Sequence, residues 1–321
     1  MLIIWVALLF TPVCGLSQEL YQDFFYYGKF TKLSACITKG RLSERYLKDG
    51  GCDLELCQSE RMANVEIVKI RNAPFDEIGT GYIALNHDAK EVIVAFRAST
   101  TTSDWISNFD ISYKDYVPQH EYADIPKCQG CKLHRGFYRY LNSITEDIIA
   151  LIKKIYQEKK YQNYKLVLVG HSLGGALATL VGIEFRVKGY KPLIFSYGAP
   201  KMFNSAMMEW VNEVFESKEL SERIKNNEKV NWGMIRVIHD GDYVPLLPPG
   251  FIQAGVEFFI TKKHLPHRKA DVDFLGTSYI DKTQTLFSWR QKVLHYLHAY
   301  EHRTYFMTIN SCADIDPRID T

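Results

Sequence analysis

Past Phe10 the chain has no long hydrophobic run, which excludes a membrane-spanning helix further along. It has no excess of either charge. Lys and Arg number 39 against 37 Asp and Glu, a formal net charge of +2, and no dense basic stripe appears, so a nucleic-acid footprint is excluded. An ordinary N-x-S/T sequon is absent, because Asn142-Ser143 and Asn204-Ser205 both lack the hydroxyl at the third position. There is no internal repeat, no low-complexity tract and no Pro/Gly/Ser linker that would split the chain. Cysteine is sparse, at seven in 321 residues.

What is present fits an ordinary globular protein, with 46% hydrophobic and 24% charged residues and enough length to bury a sizeable core. Aromatic content of 13% is high, and it suits either dense packing or a groove for an apolar substrate. Met1 to Ser17 reads as a secretory signal peptide. Leu2 to Phe10 is continuously apolar but too short to span a bilayer, and Val13-Cys14-Gly15 or Gly15-Leu16-Ser17 offers a small-residue cleavage site. The α-amino group alone supplies the positive charge there. The expected location is therefore extracellular or lumenal.

Removing Cys14 with the signal leaves six cysteines, Cys36, Cys52, Cys57, Cys128, Cys131 and Cys312. An even number in an exported chain reads as disulfides. The close pairs Cys52/Cys57 and Cys128/Cys131 are expected to bridge locally, which leaves Cys36 to reach Cys312 and tie the two ends together. Cys128-Gln-Gly-Cys131 has the spacing of a redox motif, but no thioredoxin-like strand and helix frame it.

Periodicity places the elements. Val92 to Phe96 is an apolar strand. Phe137, Leu141, Ile144, Ile148, Leu151, Ile152 and Ile155 recur at helical spacing. Lys165 to Val169, Leu193 to Tyr197 and Met234 to Ile238 are buried-type strands, and Val256 to Thr261 is another. Lys262 and Lys263 then end the apolar run and open a polar, His-containing loop to about Tyr279. A helix near Tyr21 to Ala35 lies in an N-terminal extension. Alternating strands and helices from Val92 onward imply one α/β domain.

The chemistry concentrates at Gly170-His171-Ser172-Leu173-Gly174. A G-x-S-x-G between an apolar strand and a run of helix formers is a nucleophile elbow, where a serine sits on a sharp turn with its hydroxyl exposed. Such a serine needs a histidine base and a carboxylate elsewhere. The acid follows the nucleophile in this chain order, and Asp240 and Asp242, just past the strand Met234 to Ile238, both qualify. His295, His298 and His302 are the histidines nearest the C-terminus.

These segments together resemble the class 3, fungal-type lipases, and the chain reads as a secreted, animal-type member. Gly170-His171-Ser172-Leu173-Gly174-Gly175-Ala176 resembles the family's G-H-S-L-G-G-A. Asp242-Tyr243-Val244-Pro245-Leu246-Leu247-Pro248 is similar to its D-x-V-P-x-L-P, which implies Asp242 as the acid. Glu301-His302-Arg303-Thr304-Tyr305-Phe306 resembles its [DE]-H-x-x-Y-F, which implies His302 as the base. Val94 to Ser99 looks like the strand leading to R-G-[ST], and His134-Arg135-Gly136-Phe137 resembles H-x-G-F. The likeness runs from about Asn64 to Cys312.

The resemblance implies an α/β-hydrolase fold: a single domain with a central, mostly parallel sheet flanked by helices. The expected division is a signal at 1–17, an N-terminal extension packed on the core at 18–63, and the lipase-like domain at 64–321. It also implies an oxyanion hole from the Leu173 N–H and from Ser99. Thr100 to Ile111 corresponds to the family's lid, with Trp105, Ile106 and Phe109 on one face at helical spacing. The implied activity is hydrolysis of carboxylic esters, acylglycerols first among them, by a monomer with no metal or cofactor. The implied partner is a lipid or other ester at an interface, and phospholipase A1 and soluble-ester esterase are the alternatives. Two departures stand out. Ala98 replaces the usual Gly beside the oxyanion loop, and Gln253-Ala254-Gly255 stands where the family often has H-x-G.

Two readings compete. His298-Ala299-Tyr300-Glu301-His302 matches the H-x-x-E-H of inverted zinc proteases, but no Glu follows Glu301 to serve as third ligand, and the serine elbow would go unexplained. A binding protein on a dead hydrolase scaffold would be expected to have lost Ser or His.

Overall fold

The computed structural model describes residues 16–73, 79–98, 112–277 and 300–314. Helix α1 (Gln18–Ser34) opens on Ser17, whose Oγ accepts a hydrogen bond from the Leu20 N–H at 3.0 Å. Such a cap satisfies one of the helix's orphan donors. Short turns then lead into β1 (Val65–Arg71), β2 (Gly81–Asn86) and β3 (Glu91–Phe96). A small hairpin, β4 (Tyr113–Asp115) with β5 (Lys132–His134), precedes the long helix α2 (Arg135–Gln157).

The central unit follows as β6 (Lys165–His171), α3 (Leu173–Val187) and β7 (Leu193–Tyr197). Helices α4 (Ser205–Val214) and α5 (Ser217–Lys225) lead to β8 (Gly233–His239), β9 (Val256–Ile260) and β10 (Val272–Gly276). The strands form one eight-stranded sheet in the order β1-β2-β3-β6-β7-β8-β9-β10. From β3 to β9 every pairing is parallel, while β1, β2 and β10 pair antiparallel at the edges.

Alternation along each strand decides which layer a side chain joins. Val167 and Val169 of β6 pack in the layer of α1, whereas Leu166 and Leu168 pack in the layer of α2 and α3. Both faces of the sheet are covered, which is why the parallel strands read as continuous apolar runs. The aromatic richness goes largely into packing. Phe24 of α1 meets Phe195 and Phe258 edge-on, with centroids 6.0 and 5.0 Å away, and stacks on Phe306 at 5.2 Å. Each such buried ring contributes roughly 1.5–3 kcal/mol relative to exposure.

One expectation is corrected here. The stretch after Lys263, read as a polar loop, contains β10, which pairs antiparallel with β9 from Val272 opposite Ile260 to Gly276 opposite Glu257. It is only five residues long and lies at the sheet edge, so its apolar pattern is brief. The cysteines are joined as Cys36–Cys312, Cys52–Cys57 and Cys128–Cys131. Among the described residues no helix is long and apolar enough to cross a membrane.

Candidate active site

The site forms where the parallel strands end. Strand β6 finishes at His171 and α3 begins at Leu173, so Ser172 alone makes the turn, at φ 55 and ψ −125. Such a conformation costs a non-glycine residue about 1–3 kcal/mol, which the surrounding contacts must offset. The Ser172 N–H donates to the Tyr197 carbonyl at 2.8 Å, and its carbonyl accepts from Ala176 at 3.1 Å. Glycine is obligatory at 170, since a Cβ there would lie 2.1 Å from the Gly174 oxygen.

Asp242 follows β8 through a turn in which its N–H returns to the His239 carbonyl at 3.0 Å. Its Oδ1 accepts from the Val244 N–H at 2.9 Å, and its Oδ2 accepts from the Tyr305 hydroxyl. Burial, and then the charge of Asp242, raise the Tyr305 phenol well above its ordinary value, so it stays a donor. Gly198, at φ +55, leaves the room for this pair, because a Cβ would come within 2.6 Å of the Tyr305 hydroxyl and 2.8 Å of Asp242 Oδ2.

His302 lies in a short helix (Tyr300–Arg303) and spans the gap between the other two. Its Nδ1 is 3.0 and 2.9 Å from the two Asp242 oxygens, and its Nε2 is 3.0 Å from Ser172 Oγ. Facing a carboxylate, Nδ1 carries the ring proton, and the bare Nε2 then accepts from the serine hydroxyl. Ser172, Asp242 and His302 are 3%, 4% and 2% exposed, so bulk water does not compete for these contacts. The arrangement can move a proton from a serine hydroxyl to an imidazole while a carboxylate holds the resulting charge.

Two further histidines hold His302 from behind. His171 donates from Nε2 to the His302 carbonyl at 2.7 Å, and its ring lies 4.6 Å from the His302 ring. Burial, then His302 itself, hold the His171 pKa well below its ordinary value. The ring nitrogens of His239 face the carbonyl oxygens of Glu301 and Lys262, each at 2.9 Å, which ties the segment before His302 to the end of β9. Sequence reasoning passed over His171, His239 and Tyr305 as partners. All three lie within three residues of Ser172, Asp242 or His302, but the distant group each one meets is set by packing, not by spacing.

The class 3 lipase pattern matches residues 93–251. A Saccharomyces cerevisiae protein, provisionally named lipase LIH1, is 35% identical over 321 residues, covering 94% of this chain and 97% of the yeast protein. The chain belongs to the class 3 lipase family. As a class 3 lipase it is a carboxylic-ester hydrolase. The secreted mono- and diacylglycerol lipase A of Penicillium camembertii is 31% identical over 185 residues, which cover 56% of this lipase and 52% of that protein. A crystal structure of the Lip2 lipase of Yarrowia lipolytica superposes with a TM-score of 0.74 at 24% identity, covering 93% of this chain and 97% of that one. That likeness bears on the fold alone, and the fold is the α/β-hydrolase architecture. These relatives are fungal, and the expected animal-type membership is not carried by them.

Among the residues singled out in the sequence of this lipase, Ser172, Asp242 and His302 are brought together, and Leu173 opens α3 beside them. As the first residue of a helix, Leu173 has an N–H with no intrahelical acceptor. Asp240 is exposed, while Asp242 is buried against His302. Ser99, the lid residues Trp105, Ile106 and Phe109, and His295 and His298 lie outside the described residues. Gln253, where the family often has His, donates to the Ala199 carbonyl at 2.6 Å. Both ring nitrogens of His302 are engaged by Asp242 and Ser172, which leaves the H-x-x-E-H reading without its second histidine. No cluster of three His, Cys, Asp or Glu side chains suited to a metal occurs among the described residues.

Proposed function

We propose that this lipase is exported and cleaves acylglycerols by nucleophilic catalysis with Ser172, His302 and Asp242. The observation that carries the proposal is the Ser172 Oγ–His302 Nε2 approach of 3.0 Å, with Nδ1 of the same ring on Asp242. In this reading His302 takes the hydroxyl proton as Ser172 Oγ attacks the ester carbonyl. Asp242 orients the ring and stabilises the imidazolium. The Leu173 N–H, with Ser99, receives the oxyanion, each donor contributing about 3 kcal/mol to the transition state. The proton then passes to the departing alkoxide, leaving an acyl-serine, and water repeats the sequence to release the fatty acid. No step requires a metal or cofactor.

Acylglycerol as substrate is supported by the name of the Penicillium relative, and export by that name, by the apolar N-terminus and by the three disulfides. Leu16 is buried and Ser17 caps α1, so signal cleavage after Gly15 preserves both contacts. The test is fatty-acid release from emulsified tri- and diacylglycerols, run beside a phospholipid and a soluble feruloyl ester. Acylglycerol turnover that disappears in Ser172→Ala is the expected result. Undiminished turnover in that variant would remove Ser172 as nucleophile, and preference for the phospholipid would replace the substrate.

A further inference from the structure

Beside the triad, on the α1 side of the sheet, lies a cavity of about 550 Å³ that the hydrolytic reading does not use. Its walls are the last turn of α1, the short turn after it, the end of β3, His171 and the C-terminal residues 309–312. The Cys36–Cys312 disulfide joins two of these walls. The His171 ring forms the inner wall, so the cavity adjoins His302 without including Ser172 or His302 in its lining.

Its charge is one-sided. Lys39, Arg41 and Arg97 line it, and no carboxylate among the described residues does. Arg41 is already neutralised, since its Nε pairs with Asp53 at 2.8 Å and its Nη1 donates to the Cys312 carbonyl. Lys39 and Arg97 are not. Among the described residues, the one side-chain bond of Arg97 runs from Nη1 to Thr38 Oγ1 at 3.3 Å, and its Nε is buried with no partner. Burial lowers the Arg97 pKa, yet a guanidinium stays charged, so the cost of partly desolvating it is met by no anion of the described protein.

Two further properties narrow the ligand. The volume falls in the range of small-molecule pockets, about 300–1,000 Å³, and is far more than a bare phosphate fills. The rest of the polar lining is hydroxyl and amide: Thr31, Ser34, Thr38, Asn310 and Ser311. Thr31 and Ser34 donate their hydroxyl protons to the Tyr27 and Thr31 carbonyls, which leaves their oxygens as acceptors. Cationic donors and hydroxyl oxygens lining one cavity match a phosphate attached to a polyol.

The geometry points to this cavity as a binding site for a glycerophosphate group, its phosphate on Arg97 and Lys39 and its hydroxyls on the side chains of α1. The group can come from free glycerol phosphate or from the head of a phospholipid.

Titration calorimetry on the full chain, with sn-glycerol 3-phosphate, inorganic phosphate and glycerol as probes, reads binding directly and does not depend on ester hydrolysis. Glycerol 3-phosphate should bind saturably and more tightly than phosphate, with glycerol alone undetected. Arg97→Gln and Lys39→Gln should each weaken it about tenfold or more, the loss typical of a hydrogen bond to a charged group, while Arg97→Lys retains part of the affinity. Lys39 is exposed, so its variant stays informative should Arg97→Gln melt early. Flotation with phosphatidylglycerol and phosphatidylcholine vesicles separates the two sources. Displacement from phosphatidylglycerol by excess glycerol 3-phosphate assigns the lipid head, and flotation unaffected by Arg97→Gln assigns the free form. No saturable heat, undiminished affinity in both Gln variants, or phosphate binding as tightly as glycerol phosphate would overturn the proposal.

Discussion

The side chain of His171 donates to the backbone carbonyl of His302 at 2.7 Å, so the residue before Ser172 holds the main chain of His302. A carbonyl only accepts, so the His171 proton sits on Nε2 and the ring is neutral, in keeping with the lowered pKa that burial imposes. His171→Ala should therefore leave the His302 carbonyl buried without its donor, at a cost of about 1–3 kcal/mol in stability. It should also lower kcat about tenfold or more with little change in KM, because binding groups are untouched. Chemical denaturation and steady-state kinetics on one soluble ester read both effects. A change confined to stability would make His171 purely structural.

The proposed acid is the sharper case. Asp242 is buried and accepts from Val244, Tyr305 and His302, whereas Asp240, two residues earlier, is exposed. Asp242→Asn should reduce kcat by about four orders of magnitude, since the amide favours the wrong imidazole tautomer. Asp240→Asn should change it by less than about twofold, as exposed substitutions generally do. The reverse ranking would move the acid to Asp240.

His267 sets a pH dependence. Burial first, then the charge of His239, lower its pKa from 6.5 to about 4. Its Nδ1 accepts from the Phe306 N–H at 3.2 Å, a bond the protonated nitrogen cannot make. As pH falls through about 6.5 the unfolded chain takes up a proton that the folded chain refuses. Stability should be full above that pH, fall between about 6.5 and about 4, and flatten below. Urea unfolding at a series of pH values measures the slope, which His267→Asn should reduce by one proton.

The Cys36–Cys312 bridge closes a loop of 276 residues. In the chain-entropy model so long a loop constrains the unfolded ensemble by about 5 kcal/mol, with residual structure reducing it. Cys36→Ser with Cys312→Ser should lower the denaturation midpoint well beyond the loss from opening Cys52–Cys57, which spans a separation of 5. Peptide mapping of the non-reduced protein checks the pairing itself. A link from Cys36 to Cys52 or Cys57 would refute it.

Much of this lipase was legible in the order of its residues, because local structure is written in near neighbours. Alternation and apolar runs located the strands at Leu193–Tyr197 and Lys165–Val169, the latter extending to His171 in the fold, and the spacing from Phe137 to Ile155 located α2. The elbow was visible because its glycines and serine serve one sharp turn. Contacts between distant segments were not legible. His171 reaches His302 across 131 positions and Tyr305 reaches Asp242 across 63, and no spacing rule encodes either approach. The same holds for the cavity beside Arg97, whose walls come from both ends of the chain and from the middle of the sheet. A periodic pattern says which face of an element is apolar, but which faces meet is settled only when the layers pack. That packing decided which carboxylate meets His302, which carbonyl His171 supports and where a cation without an anion among the described residues is left.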